Sequence, residues 1–107
     1  MAFEIIFSSE AASDLRRLRA YERAKVRNAI EVHLRHQPTK VSKSRIKRLQ
    51  ELTHPQYRLR VDDLRVFYDV NGEQVQVLAI VPKADADAWL EQIGHADEDG
   101  SALGSEG

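Results

Sequence analysis

The stretch YRLRVDDLRVFYDV, Tyr57 to Val70, sets three arginines at alternating positions around a pair of aspartates. Arg58 and Arg60 alternate with Tyr57, Leu59 and Val61. Arg65 and Phe67 alternate with Leu64, Val66, Tyr68 and Val70. Side chains two apart on a strand share a face, so if the aliphatic set is buried, Arg58, Arg60, Arg65 and Phe67 share the opposite surface. Guanidinium groups recognise phosphate oxygens in a bidentate fork, and an aromatic ring among them offers a surface on which a base can stack. Like charges opposite one another across strands destabilise a sheet by a few tenths to about 1 kcal/mol per pair, so such a face makes sense where it meets an anion. The alternative is a solvated surface whose arginines pair with Asp62, Asp63 and Asp69. None of the three arginines can act as a base, because arginine stays protonated in proteins.

The elements that must carry this face can be read around it. AFEIIF, residues 2 to 7, is short, aromatic and branched and predicts a first strand. Ser8 or Ser9 then caps a helix whose stripe is Ala11, Leu15 and Leu18. A second helix runs from Glu22 to His36, with Val26, Ala29, Ile30, His33 and Leu34 at helical spacing and Pro38 beyond its end. The short join makes an antiparallel helical hairpin. Residues 39 to 54 read as a basic loop carrying Lys40, Lys43, Arg45, Lys47 and Arg48, with at most a helical turn around Ile46 to Leu49. Two strands follow around the Asp62-Asp63 turn. Asn71-Gly72 predicts a second hairpin into EQVQVLAIV, with Val75, Val77, Ala79 and Val81 on one face and Leu78 and Ile80 on the other. Pro82 ends that strand, and ADADAWLEQI forms a last helix on Ala86, Trp89, Leu90 and Ile93. The order β-α-α-β-β-β-α predicts an α+β fold, an antiparallel sheet with an N-terminal helical hairpin packed on one face.

The chain has 107 residues, is 42% hydrophobic and contains no cysteine. One domain over residues 1–94 is expected, followed by an acidic, glycine-rich disordered tail over 95–107. Disulfides, thiolate metal sites and cysteine nucleophiles are excluded, and the four scattered histidines lack ligand spacing, so no metal or cofactor is implied. The net charge of −1 hides an asymmetry: residues 1–90 hold all 16 Lys and Arg against 12 of the 17 acids, a balance of +4. A basic body permits a phosphate-bearing partner. No apolar run approaches the roughly 18 residues of a membrane span, and the N-terminal segment reads as a strand and not as a signal peptide. These features predict a cytoplasmic location with no membrane partner.

The order of elements, with SSEAASDLRRL, YRLRVDDLRVFYDV and VQVLAIVPK, resembles the RelE/ParE superfamily of bacterial toxin–antitoxin toxins over residues 2 to 93, more closely its RelE branch. The resemblance implies a toxin neutralised by a cognate antitoxin, and an endoribonuclease that cuts mRNA on the ribosome without metal, the 2′-OH attacking the adjacent phosphate. It implies catalytic roles for Arg58, Arg60 and Arg65 and a contact to RNA from Lys83; beside it, Phe67 offers a stacking surface, and the basic segment with Lys43, Arg45, Lys47 and Arg48 can grip RNA phosphates without reading sequence. The chain departs from the RelE pattern: Arg58 and Arg60 stand where the best-known members use lysine. Ala84 stands where an arginine is usual, and Trp89 or Leu90 stands near the place of a C-terminal tyrosine. His54, just before the arginine strand, is of a residue type that serves in proton transfer, although its plain reading is an exposed loop histidine. Two other functions stay open: a ParE-like inhibitor that binds DNA gyrase without chemistry, and a weakened toxin that survives as a binding partner or co-repressor.

Overall fold

Hydrophobic alternation and helical stripes give the elements their faces, and hydrogen bonds between distant segments fix their order. The structure is a computed structural model that describes residues 2–50, 52–93 and 95–96. Strand β1 (Glu4–Phe7) leads into α1 (Ser9–Arg17) and α2 (Ala20–Leu34). The sheet strands follow as β2 (Ile46–Arg48), β3 (Leu52–His54), β4 (Tyr57–Val61), β5 (Leu64–Asn71) and β6 (Gln74–Pro82). A 3-10 turn over Lys83–Asp85, α3 (Ala86–Ile93) and β7 (His95–Ala96) complete the described chain. The fold is α+β, as the sequence predicts.

Ser8 begins α1 in the expected way: its Oγ accepts from the Ala11 N–H at 3.0 Å. The same hydroxyl donates to the Leu78 carbonyl at 3.0 Å, which ties the helix start to β6. Arg23 on α2 donates to the Leu18 carbonyl at 2.8 Å and so covers an end group of α1 that lacks a helical partner. Ala11 and Leu15 from α1, with Val26, Ala29, Ile30 and Leu34 from α2, pack on Leu59, Val61, Val66, Tyr68, Val75 and Val77 of the sheet. Tyr68 is fully buried there; its hydroxyl donates to the Pro38 carbonyl at 2.6 Å, and desolvation pushes its pKa far up. The expected inward positions of Tyr57 and Tyr68 hold, and their rings stack at 5.4 Å.

The main sheet has the order β1-β6-β5-β4-β2. All its neighbours are antiparallel except β1 and β6, which run parallel with Glu4 beside Gln74 and Phe7 beside Val77. A long crossover through both helices permits that pairing, where a tight turn would not. The second hairpin closes on Gly72 and Glu73, one residue later than the Asn-Gly pair suggests. Asn71 pairs with Gln74, and Gly72 takes φ +62°, a conformation glycine adopts without strain.

Two readings of the sequence are corrected here. Residues 46–48 are a strand and not part of a loop or a helical turn. Ile46, 3% exposed, pairs with Leu59, while Arg45 and Lys47 on either side of it point away from the core. On β6, the register runs from Phe67 opposite Ala79 to Tyr68 opposite Val77, so Leu78 is an extra residue in a bulge. The bulge reverses the alternation. Val75, Val77 and Ile80 join the helix-side core, whereas Ala79 and Val81 lie on the other face, contrary to the expected single face for Val75, Val77, Ala79 and Val81. On that other face α3 builds a smaller cluster of Leu49, Phe67 and Ala86, flanked by Leu52, Val81, Trp89 and Leu90. β3 and β7 form a separate two-stranded sheet. Apart from His95 and Ala96, the expected acidic tail lies outside the described residues. No helix among the described residues is long and apolar enough to cross a membrane.

Candidate nucleic-acid interface

The strand register assembles the cationic face in two rows. In the first, the Arg60 N–H donates to the Arg45 carbonyl at 2.9 Å and Arg60 pairs directly with Arg65, which pairs in turn with Val81. In the second, Lys47 pairs with Arg58, Arg58 with Phe67, and Phe67 with Ala79. Lys47, Arg58, Arg60 and Arg65 therefore share the sheet face turned away from α1 and α2, while Arg45, at the sheet edge, lines a cavity with His33 of α2. Lys83 joins them at the edge, because its N–H donates to the Asp63 carbonyl at 2.7 Å and holds it beside the β4–β5 turn. Lys43 is exposed in the segment before β2.

Arg65 is the most enclosed of these groups, at 6% exposure. Its Nη1 donates to the carbonyls of Asp62 and Leu64, each at 2.9 Å, which fixes the guanidinium beside the turn. Burial lowers its pKa, and the positive charges of Arg58 and Arg60 lower it further, against an opposing pull from Asp63. The three arginines thus act on one another as neighbours. Arg58 has a buried Nε that makes no hydrogen bond.

Two of the three aspartates near this face, Asp62 and Asp69, have other partners, while Asp63 acts electrostatically on Arg65. Asp62 accepts from the Lys25 ammonium at 2.6 Å, and its pKa is lowered mainly by that contact. Asp69 contacts the His54 ring at Nδ1 and accepts from the Gln56 N–H at 2.7 Å. Among the described residues, none of Arg45, Lys47, Arg58, Arg60, Arg65 and Lys83 forms an ion pair. A surface of paired charges, the bland reading of these arginines, is not what the fold builds.

Two residues expected at the face are placed elsewhere. Phe67 is on the predicted side but 0% exposed, its ring stacked on Trp89 at 4.7 Å beneath α3, so it presents no open surface to a base. Arg48 turns to the helix side of the sheet. Its Nη1 donates to the carbonyls of Leu49 (2.8 Å), Leu52 (3.3 Å) and Gln56 (2.9 Å), and its guanidinium lies 5.4 Å over the Tyr57 ring. This arginine holds the β2–β4 connection together, on the side of the sheet away from Arg58, Arg60 and Arg65. Trp89 is a packing residue, its indole N–H donating to Glu10 at 3.0 Å.

The His54–Asp69 contact joins residues too far apart in the chain for any local pattern to reveal. A carboxylate-held imidazole is a known means of positioning an acid or base. Asp69, however, lies four residues along β5 from Arg65, about 13 Å at the strand rise. The pair stands at the far end of the face from the enclosed guanidinium.

The family and the element order, and not the charge of the face, are what comparisons with known proteins address. The model of the family described as "ParE toxin of type II toxin-antitoxin system, parDE" fits residues 5–87. The chain belongs to this toxin family. Solved structures with the same fold include the archaeal RelE–RelB complex from Pyrococcus horikoshii OT3, at TM-score 0.64 and 23% identity, covering 78% of the toxin and 97% of that chain. The RelBE2 toxin–antitoxin complex from Mycobacterium tuberculosis matches at TM-score 0.58 and 20% identity, covering 77% and 99%. The E. coli DinJ–YafQ complex matches at TM-score 0.56 and 16% identity, covering 78% and 96%. No curated protein matches the toxin significantly. At these identities the solved structures speak to the fold, which they share along nearly their whole length.

Proposed function

We propose that this toxin is a metal-independent endoribonuclease that cleaves mRNA on the ribosome in the cytoplasm, and that a cognate antitoxin neutralises it. The observation that carries the reading is the cluster of Arg58, Arg60 and Arg65, none of them in an ion pair among the described residues, flanked by Arg45, Lys47 and Lys83, with Asp62 and Asp69 occupied by other partners. Such a face takes up a phosphate backbone without reading its sequence.

In the cleavage step, the ribose 2′-oxygen attacks phosphorus as its proton passes to water. The bond from phosphorus to the 5′-oxygen breaks, and that oxygen takes a proton from solvent, leaving a 2′,3′-cyclic phosphate and a 5′-hydroxyl. Arg65, fixed by two backbone carbonyls, is preorganised to stabilise the charge that builds on the phosphate oxygens. Arg58 and Arg60 clamp the same group. No arginine serves as the base, and Trp89 has no acidic proton to give. Catalysis here rests on electrostatics and positioning, and the turnover falls below that of a site with its own acid and base. The antitoxin is supported by the family and by the structural relatives, which are toxin–antitoxin complexes.

A second reading has its own support. The matching family model is the ParE one, and no titratable acid or base stands in the Arg60–Arg65 row. A toxin that inhibits DNA gyrase by binding needs no chemistry. The deciding experiment incubates the toxin with programmed ribosomes and maps new mRNA ends, in parallel with a gyrase supercoiling assay. In-frame cleavage lost in Arg65→Lys supports the ribonuclease. Supercoiling inhibition without cleavage replaces it with the gyrase reading, and neither activity leaves a toxin reduced to binding.

A further inference from the structure

Of the described aromatic residues, Tyr21 is the exposed one, at 61%. It stands in the first turn of α2 and lines a cleft of about 560 Å³ between that helix and the β4–β5 turn. Arg60 lines the same cleft from the sheet side, so the cleft adjoins the cationic face at the residue that pairs with Arg65.

We propose that this cleft is a nucleobase subsite: the base next to the phosphate held by Arg60 and Arg65 stacks on the Tyr21 ring. The inference rests on the ribonucleic-acid reading of the arginine face. The charges in the cleft argue for a base and against a phosphate. Lys25 and Asp62 are paired at 2.6 Å and largely cancel, while Glu22 and Asp63 add carboxylates that repel an anion. Those carboxylates accept hydrogen bonds and donate none, which suits the exocyclic amino groups of adenine, guanine and cytosine over uracil. The phosphate stays on the arginines and the base turns around the β4–β5 turn into the cleft. Phe67, covered by Trp89, cannot take this role, and Tyr21 is the ring beside the arginines that solvent reaches. Aromatic stacking beside a cationic track is the recurrent chemistry of single-stranded nucleic-acid binding.

The test uses the full-length toxin and a short single-stranded RNA, 2′-O-methylated to prevent cleavage and carrying one 2-aminopurine. Wild type and Tyr21→Phe quench the 2-aminopurine fluorescence on binding. Tyr21→Ala loses the quenching and binds between about 5- and 150-fold more weakly, with an unchanged dependence on salt, since no charge is removed. Its melting temperature, measured alongside, stays at the wild-type value because Tyr21 is exposed. If Tyr21→Ala binds and quenches like wild type while the RNA affinity still depends steeply on salt, the cleft is not a base subsite although the arginine face stands. If wild type does not bind the RNA at all, both readings fall.

Discussion

Asp14→Ala tests how α1 is locked to the sheet. β1 ends at Phe7 while β6 continues to Pro82, which leaves the β6 edge without a strand partner beyond Val77. The start of α1 takes over that edge. The Ser8 N–H donates to the Val77 carbonyl at 2.9 Å, the Ser8 hydroxyl donates to the Leu78 carbonyl, and Asp14 Oδ2 accepts from the Ile80 N–H at 2.9 Å. Asp14 is 8% exposed, and its other oxygen accepts from Arg17 at 2.7 Å. The Arg17 side chain is largely in solvent, so that ion pair contributes little. The Ile80 N–H is buried, and without an acceptor it costs about 1–3 kcal/mol. With a central value of about 2 kcal/mol and a shift of about 4–8 °C per kcal/mol for a domain of this size, Asp14→Ala lowers Tm by about 8–16 °C. Asp14→Asn keeps an acceptor and loses less than half of that. Urea and thermal denaturation followed by circular dichroism give both values, and hydrogen exchange at the Ile80 amide gives the local one. An Asp14→Ala protein with wild-type stability and a protected Ile80 amide, or an Asp14→Asn protein as damaged as the alanine variant, refutes the reasoning.

Three further outcomes follow from the same geometry. Removing one phosphate-contacting cation flattens the salt dependence of single-stranded RNA binding by about 0.7 in the log–log slope, so Arg60→Gln and Lys47→Gln each do so in a fluorescence anisotropy titration, whereas Arg48→Gln leaves the slope unchanged and lowers Tm. Phe67→Ala, at a fully buried position under α3, destabilises the toxin by about 3–5 kcal/mol, while Phe67→Leu retains wild-type RNA affinity because the ring is not at the interface. Burial and the nearby Arg45 hold the His33 pKa below its ordinary value of about 6.5. The unfolded chain then binds more protons, so folding stability is full above about pH 6.5 and declines as pH falls below it. His33→Gln removes that decline between pH 6.5 and 5, above the range where Glu31 and Asp62, both with lowered pKa, begin to protonate.

The sequence was most legible where one periodicity governed a segment. The Ala11-Leu15 stripe, the Ser8 cap and the alternation through β4 and β5 each specify a face, and the shared side of Arg58, Arg60 and Arg65 follows from that alternation alone. β2 was not legible, because Ile46 is a single apolar residue among cations and becomes a strand only when Leu59 lies beside it. The reversal on β6 has no glycine or proline to announce it; Leu78 is displaced into a bulge whose carbonyl is satisfied by a hydroxyl from another element. The fates of Phe67 and Arg48 depend on what folds over them. Alternation tells which side a residue takes, but the return of α3 buries Phe67, and the carbonyls of the β2–β4 connection draw Arg48 inward.

The parallel pairing of β1 with β6 also sets the order in which the molecule can be completed. Glu4 and its neighbour Gln74 are 70 residues apart. During synthesis the first strand leaves the ribosome long before its partner, and closing so large a loop is slow compared with forming the local helical hairpin. The sheet that carries the arginines acquires its final register only after β6 has emerged. Until β6 has emerged, β1 has no strand partner in the sheet, and the five-stranded order that spans both ends of the fold cannot close.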